Sequence, residues 1–194
     1  MNNEVKQKIV VFGQDQNGTY SFLNSTNSAR VAALGGISIP IYDSDIQLAT
    51  YNPSLINSDI DNNMALSYVD YYRDINFGTV QYGKTFEKAG SFVGTLQFHN
   101  YGRFYYAEEN GYQDGSTFTV SDYMFNVGWG RMLNDNWTIG ANLKFAGIQY
   151  ENSSAFALAV DVAGTYMTSD GWCLSLAARN IGYELYKNYE GDHS

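Results

Sequence analysis

From Asn63 onward the chain alternates with a period of two, and the two alternating sets differ in kind. Between Ser154 and Thr168, Phe156, Leu158, Val160, Val162, Gly164 and Tyr166 fall on one side of an extended chain. Ala155, Ala157, Ala159, Asp161, Ala163 and Thr165 fall on the other. One face is bulky and apolar; the other is small or polar. Successive side chains point to opposite sides only in a strand, so the pattern predicts β-structure. It recurs in Trp137, Ile139, Ala141, Leu143 and Phe145 against Thr138, Gly140, Asn142, Lys144 and Ala146, and in Phe92, Gly94, Leu96 and Phe98 against Val93, Thr95, Gln97 and His99. Trp172, Leu174, Leu176 and Ala178 against Cys173, Ser175, Ala177 and Arg179 continue it. The expectation is about seven strands, near 63–72, 75–86, 90–103, 117–133, 136–150, 153–168 and 171–184, in an antiparallel meander.

Several of these stretches exceed the usual five or six residues of a soluble strand and reach the roughly 9 to 11 that a tilted strand needs to cross a bilayer. The connections at Glu87 to Ala89, Asn134-Asp135 and Ser169-Asp170 are tight, whereas Phe104 to Ser116 is long and carries Glu108, Glu109 and Asp114. Short turns on one side and a longer loop opposite match an outer-membrane barrel. Arg73-Asp74 and Glu151-Asn152 are short connections on the long side, so the asymmetry is partial. Trp129, Trp137 and Trp172 lie near the tight-turn ends; Tyr71, Tyr72, Tyr101, Tyr105, Tyr106, Tyr150, Tyr183 and Tyr186 gather towards the other. Two such bands fit the aromatic girdles at the two membrane interfaces. The alternative is a soluble barrel or sandwich with its bulky face inward. The opposite face, too slight to fill a dry interior, argues against it.

Composition narrows the function. The 194 residues suit one domain, and a formal charge of −9 repels a phosphate backbone, which disfavours nucleic-acid binding. Cys173 stands alone, so no intrachain disulfide forms, and His99 and His193 are the only histidines. No apolar run approaches the roughly 18 residues of a transmembrane helix. No nucleophile elbow, P-loop, zinc-binding helix or paired-cysteine motif occurs, and the expectation is a non-enzymatic protein without cofactor or metal.

Three regions follow. Residues 1–17, with Lys6 and Lys8 ahead of Ile9-Val10-Val11-Phe12, read as a leader remnant or a disordered N-terminus. Residues 18–62 are irregular and read as a plug, in which Ser28 to Leu34 forms a short helix capped by Ser28 and stopped by Gly35. Residues 63–194 form the barrel. Bacterial barrels carry an even number of strands and leave no edge in lipid. Either Val5 to Phe12 supplies an eighth strand, or the chain is the first part of a wider barrel. The size of the N-terminal segment favours the wider barrel, because a packed eight-stranded lumen holds no such plug.

The order Gly18-Thr19-Tyr20-Ser21-Phe22-Leu23, then Ser28-Ala29-Arg30-Val31-Ala32-Ala33-Leu34-Gly35-Gly36, Asn52-Pro53-Ser54 and Leu66-Ser67-Tyr68-Val69-Asp70-Tyr71 resembles the PorV/PorQ family. Asn142-Leu143-Lys144 and Arg179-Asn180-Ile181-Gly182 extend the resemblance over most of the chain, from about Gly18 to Tyr186. That family comprises FadL-like outer-membrane components of the type IX protein secretion system of Bacteroidota. The resemblance implies an all-β, antiparallel transmembrane barrel of about 14 strands with an N-terminal hatch, of which this chain would hold the hatch and about half the strands. It implies a place in the Gram-negative outer membrane, with other secretion-system proteins, exported cargo and lipid as partners, and a role in export or surface attachment. The alternative is a FadL-like channel, with a hydrophobic small molecule as ligand.

Individual residues carry narrower expectations. Gly35-Gly36 either reverses the chain inside the barrel through positive φ or makes an ordinary surface turn. Asn52 is held extended by Pro53, ending what precedes it and directing the hatch into the first strand. Arg30, Asp43 and Asp45 in the hatch either pair with Lys144 or Arg179 on the wall or stay solvated; Lys144, Asp161 and Arg179 face the lumen. Glu108 and Glu109 adjoin one another and lack the cross-cleft spacing of a hydrolytic pair. His99, on the polar face, reads as a lumen hydrogen-bonding residue, and Cys173 as a space filler.

Overall fold

The tight turns are where the local chemistry is plainest. Between Phe86 and Gly90 the Ala89 amide donates to the Phe86 carbonyl (3.2 Å), and Gly90 takes φ +95°, which a side chain there would strain. At the next turn on that side, Asn134 Oδ1 accepts from the amides of Asn136 and Trp137 (3.0 and 2.9 Å), an Asx turn that reverses the chain in four residues. At the third, the Trp172 amide donates to Thr168 Oγ1 (3.1 Å).

The computed structural model describes residues 10–11, 20–25, 28–33, 43–70, 74–105, 117–150, 153–170 and 172–188. The strands are β2 (Met64–Asp70), β3 (Asn76–Phe86), β4 (Gly90–Tyr105), β5 (Thr117–Met132), β6 (Trp137–Tyr150), β7 (Ser153–Met167) and β8 (Cys173–Asn188), preceded by the two-residue β1 (Val10–Val11), and the three turns join β3 to β4, β5 to β6 and β7 to β8. One antiparallel sheet results, in the order β1-β8-β7-β6-β5-β4-β3-β2. The meander and its seven long strands agree with the period-two reading to within a few residues at most ends, β8 running four residues further. The Val5–Phe12 stretch contributes only β1, which pairs with β8 through Val10↔Gly182 and Val11↔Ile181. Among the described residues β2 pairs with β3 alone, so the eighth strand does not join the sheet's two edges.

Two irregularities change which way side chains point. In β4 the register slips between Asn100 and Arg103, with Gly102 at φ +78°. Tyr101 lies before the slip takes effect and shares the parity of Gln97 and His99, so it points inward, where its hydroxyl donates to Asp122 Oδ2 (2.7 Å), and it is not part of the outward tyrosine band expected from sequence. Tyr150 follows Ala146 and Ile148 in alternation, is 47% exposed at the end of β6 and packs against Phe118, centroids 5.1 Å apart. In β8 the register slips opposite Asp161, and Asn180 adopts φ +55°. Such a bulge places two residues against one, and Arg179 and Asn180 both face inward. Tyr71, Tyr72 and Tyr106, the acidic loop residues, and Gly35-Gly36 lie outside the described residues.

The N-terminal segment packs on the inner face. It holds 3₁₀ turns at Ser21–Asn24, Ile46–Thr50, Pro53–Leu55 and Ser58–Ile60 and one short helix, α1 (Ala29–Ala33), whose Val31 amide donates to the Ser28 hydroxyl (3.4 Å). The turn at Ile46–Thr50 touches β2 to β5, and the turn at Pro53–Leu55 touches β5 to β7. One short segment reaching both halves of the sheet means that the sheet curls around it. Most of the buried large apolar side chains belong to this segment: Phe22, Leu23, Val31, Ile46, Leu48, Leu55, Ile56 and Ile60 among them. The wall's inner face is mainly polar or small, while its outer face exposes Met64, Leu66, Leu96, Phe145, Phe156 and Leu174, with Leu176 83% exposed. Among the described residues no helix is long and apolar enough to cross a membrane.

Candidate functional site: the seat of the N-terminal segment

Two glycines let the segment reach the wall's backbone. A Cβ on Gly140 would collide with the Pro53 carbonyl, and one on Gly130 would collide with that of Ile56. Close backbone approach of this kind is available to glycine alone. Asn52, extended at φ −142° and ψ 97°, follows the turn Ile46–Thr50 and caps the next. Its Oδ1 accepts from the Ser54 amide (3.1 Å) and hydroxyl (2.6 Å), and Pro53 occupies the first turn position, where no N–H is needed. The Ser54 hydroxyl lies 2.6 Å from Thr165 Oγ1, which lies 2.5 Å from Ser175 Oγ, so the cap is tied to β7 and β8. Asn57 holds the far side, donating to the carbonyls of Asp43 (2.9 Å) and Leu55 (3.1 Å).

The centre of the seat is charged. Alternation sends Asn142 and Lys144 inward from β6, antiparallel pairing sets Asp161 opposite Asn142, and the β8 bulge adds Asn180. The Lys144 ammonium donates to Asp161 Oδ2 (2.6 Å) and Asn180 Oδ1 (2.8 Å), and the ion pair is fully buried. The Asp161 carboxylate also accepts from Asn142 Nδ2 (3.0 Å) and from the Asn180 amide (2.7 Å). Two of these wall residues then reach the segment: Asn180 Nδ2 donates to Asn24 Oδ1 (2.8 Å), and Asn142 Nδ2 to the Ala49 carbonyl (3.2 Å). A buried ion pair is tolerable only when its remaining hydrogen-bonding capacity is filled. Here the amides fill much of it, and they couple the charges to the segment.

Arg179 sits beside this cluster with its guanidinium 5.8 Å from the centroid of the Tyr51 ring, a cation–π contact with the segment. Arg30 does not reach the wall. It pairs with Asp43 (2.7 Å) and Asp45 (3.0 Å) of its own segment, whose hydrogen bonds raise the guanidinium above its ordinary pKa. Of the alternatives open from sequence, a pairing of Asp43 or Asp45 with Lys144 is not formed, because Asp161 on the adjacent strand already neutralises that ammonium.

His99 is buried on β4, with Nε2 2.9 Å from Gln97 Nε2 and 3.1 Å from Ser25 Oγ. Cys173 is half-buried. Among the described residues no group of three or more His, Cys, Asp or Glu side chains is placed to hold a metal ion. Arg179 and Lys144 are legible from alternation. Asn180 is not, since the bulge reverses its face; the available signal is the asparagine itself, a residue enriched at positive φ. No protein-family model and no curated protein sequence matches this chain.

Proposed function

We propose that the chain is a non-enzymatic component of the Gram-negative outer membrane: part of a FadL-type β-barrel wall, with residues 18–62 as its hatch. The observation that carries this reading is the inverted polarity of the sheet, with Lys144 and Asp161 fully buried inside while Leu174 and Leu176 are exposed outside. A lipid-facing band of apolar side chains around a polar interior is what a membrane barrel requires. In water the same exposed surface would drive aggregation. Strands of up to 16 residues are long enough to cross. An open edge is intolerable in lipid, and the FadL-like arrangement proposed closes its wall at about 14 strands. Hydrogen bonds from Asn142 and Asn180, with the Ser54–Thr165 contact, hold the hatch in place.

The role follows from the resemblance to the PorV/PorQ family: export or surface attachment of secreted proteins by the type IX system, with other secretion components, cargo and outer-membrane lipid as partners. Deleting the gene in its native host tests this. Secreted cargo should accumulate in the periplasm and fall at the cell surface, with rescue by the intact gene. Unchanged export and surface attachment in the deletion strain would remove the secretion role, while leaving the barrel to be judged by lipid exposure.

A further inference from the structure

The outer face carries two grooves of nearly equal size, about 710 Å³ and about 700 Å³, and they differ in what rims them. The second lies towards the tight turns, among Trp137, Val162, Tyr166, Leu174 and Leu176. The first runs across the strands among Leu96, Phe98, Tyr123, Phe125, Phe145 and Phe156, and its lining ends at Gln149 and Ser154. Two glycines shape it. The Phe98 ring folds over Gly78 and the Phe156 ring over Gly147, where a Cβ would meet them at 2.5 Å and 3.2 Å, so the surface is dished instead of studded.

Gln149 and Ser154 belong to a longer row. Strand pairing sets Asn76, Asn100, Ser121, Gln149 and Ser154 side by side on β3 to β7, and alternation turns all five outward. The row bears no formal charge, and among the described residues Gln149 and Ser154 have no hydrogen-bond partner. From Trp137 to Gln149, β6 climbs about 40 Å at about 3.3 Å per residue, or about 30 Å along the axis at the tilt of about 40° that membrane barrels adopt. That is the thickness of a bilayer's hydrocarbon core. With Trp137 at the turn-side interface, the polar row stands at the opposite interface and the groove lies just inside the apolar layer. At that depth a phospholipid's ester carbonyls give way to its acyl chains.

We infer that the first groove holds one acyl chain of a membrane phospholipid, whose ester carbonyl accepts from Gln149 Nε2 or the Ser154 hydroxyl. The inference rests on the reading of the outer face as lipid-facing and adds a fixed lipid to it. Uncharged donors suit an ester and not a phosphate, and the volume lies within the roughly 300–1,000 Å³ of small-molecule sites. The second groove has no Asn or Gln in its lining, and its Ser175 hydroxyl is engaged with Thr165, so nothing there fixes an ester.

Native mass spectrometry of the full chain from detergent micelles, with palmitoyl-oleoyl phosphatidylethanolamine added, counts bound lipid directly. One lipid per chain should remain. The dialkyl ether analogue, which keeps the head group and lacks the ester carbonyls, should bind about fivefold more weakly. Gln149→Leu together with Ser154→Ala should erase that preference. Gly147→Phe, which fills the groove with apolar bulk, should abolish retention, whereas Gly164→Phe, which fills the second groove, should leave it unchanged. No retained lipid, ester and ether held alike by the parent, Gly147→Phe retaining as much or Gly164→Phe losing as much would overturn the site. Lipid-free dimers would overturn it too, giving the groove to a second copy. If nitroxides on the outer face meet oxygen in bilayers while no lipid is retained, the site falls and the lipid-facing reading stands.

Discussion

The same seven strands present two faces that obey opposite rules. Outward, Leu96, Phe145 and Leu174 stand exposed with few polar neighbours; inward, Gln81, Asn126, Asn142, Lys144 and Asp161 are buried. In a soluble sheet the polar face would meet water and the apolar face the core. Here the apolar core is supplied mainly by a separate stretch of chain, residues 20–60, seated on a polar wall. The comparison teaches that the wall's inner face is specific rather than adhesive. It holds the segment through directed hydrogen bonds and one neutralised charge, and it leaves bulk hydrophobicity to the outside.

The largest expected effect is on the inner face. Asp161→Ala strands the Lys144 ammonium in a fully buried site and should cost about 3–5 kcal/mol in urea unfolding of the micelle-bound chain. Joint replacement of Asp161 and Lys144 by Leu and Met should cost less than Asp161→Ala alone. Next comes the outer face: Leu143→Arg, near the middle of β6, should cost about 2–4 kcal/mol when folding is measured into lipid bilayers. An effect near zero there would mean that this face meets water. The sharpest pair is glycine against glycine. Gly140→Ala pushes a methyl group into the Pro53 carbonyl and should cost about 1–3 kcal/mol. Gly94→Ala, on the outward face with nothing within 4 Å, should stay within about 0.5 kcal/mol. Equal effects would mean that the segment is not seated where the glycines are.

How far these faces were legible depends on whether the alternation is regular. Phe156, Leu158 and Val160 against Ala157, Ala159 and Asp161 gave the strand and its two faces, because a period of two encodes the alternation and the small or polar set marks the inner side. Asn180 was missed, because a bulge shifts the period without marking it in composition. Tyr101 was misplaced for another reason: it follows Gln97 and His99 inward by plain alternation, and its position near a strand end does not say which face it is on. The seat was invisible for a different reason. Gly130 and Gly140 matter only through Pro53 and Ile56, more than seventy residues away in sequence, and nothing local joins them. Asn52-Pro53 was readable as a local restriction of the backbone, and the contact of Ser54 with Thr165 was not.

The smallest expected effect joins the segment to the turn-side rim. Hydrogen bonds from the Thr85 amide (2.8 Å) and from Lys84 hold the Asp61 carboxyl below its ordinary range. A lowered folded value means that its contribution is present above the unfolded value, near 3.8, and is lost as pH falls through the folded one. Asp61→Asn should therefore reduce the difference in stability between pH 7 and pH 2 and little else; an unchanged difference would show that the rim contact carries none of it.

The central claim is that the bulky face meets lipid. Single cysteines at Leu96 and Leu174, in a Cys173→Ser background, can carry nitroxides whose relaxation is compared in bilayers with oxygen, which concentrates in lipid, and with a water-soluble nickel chelate. Dominant oxygen broadening is expected at both sites. Nickel broadening at both, or shielding from both reagents, would contradict it and return the sheet to a soluble fold.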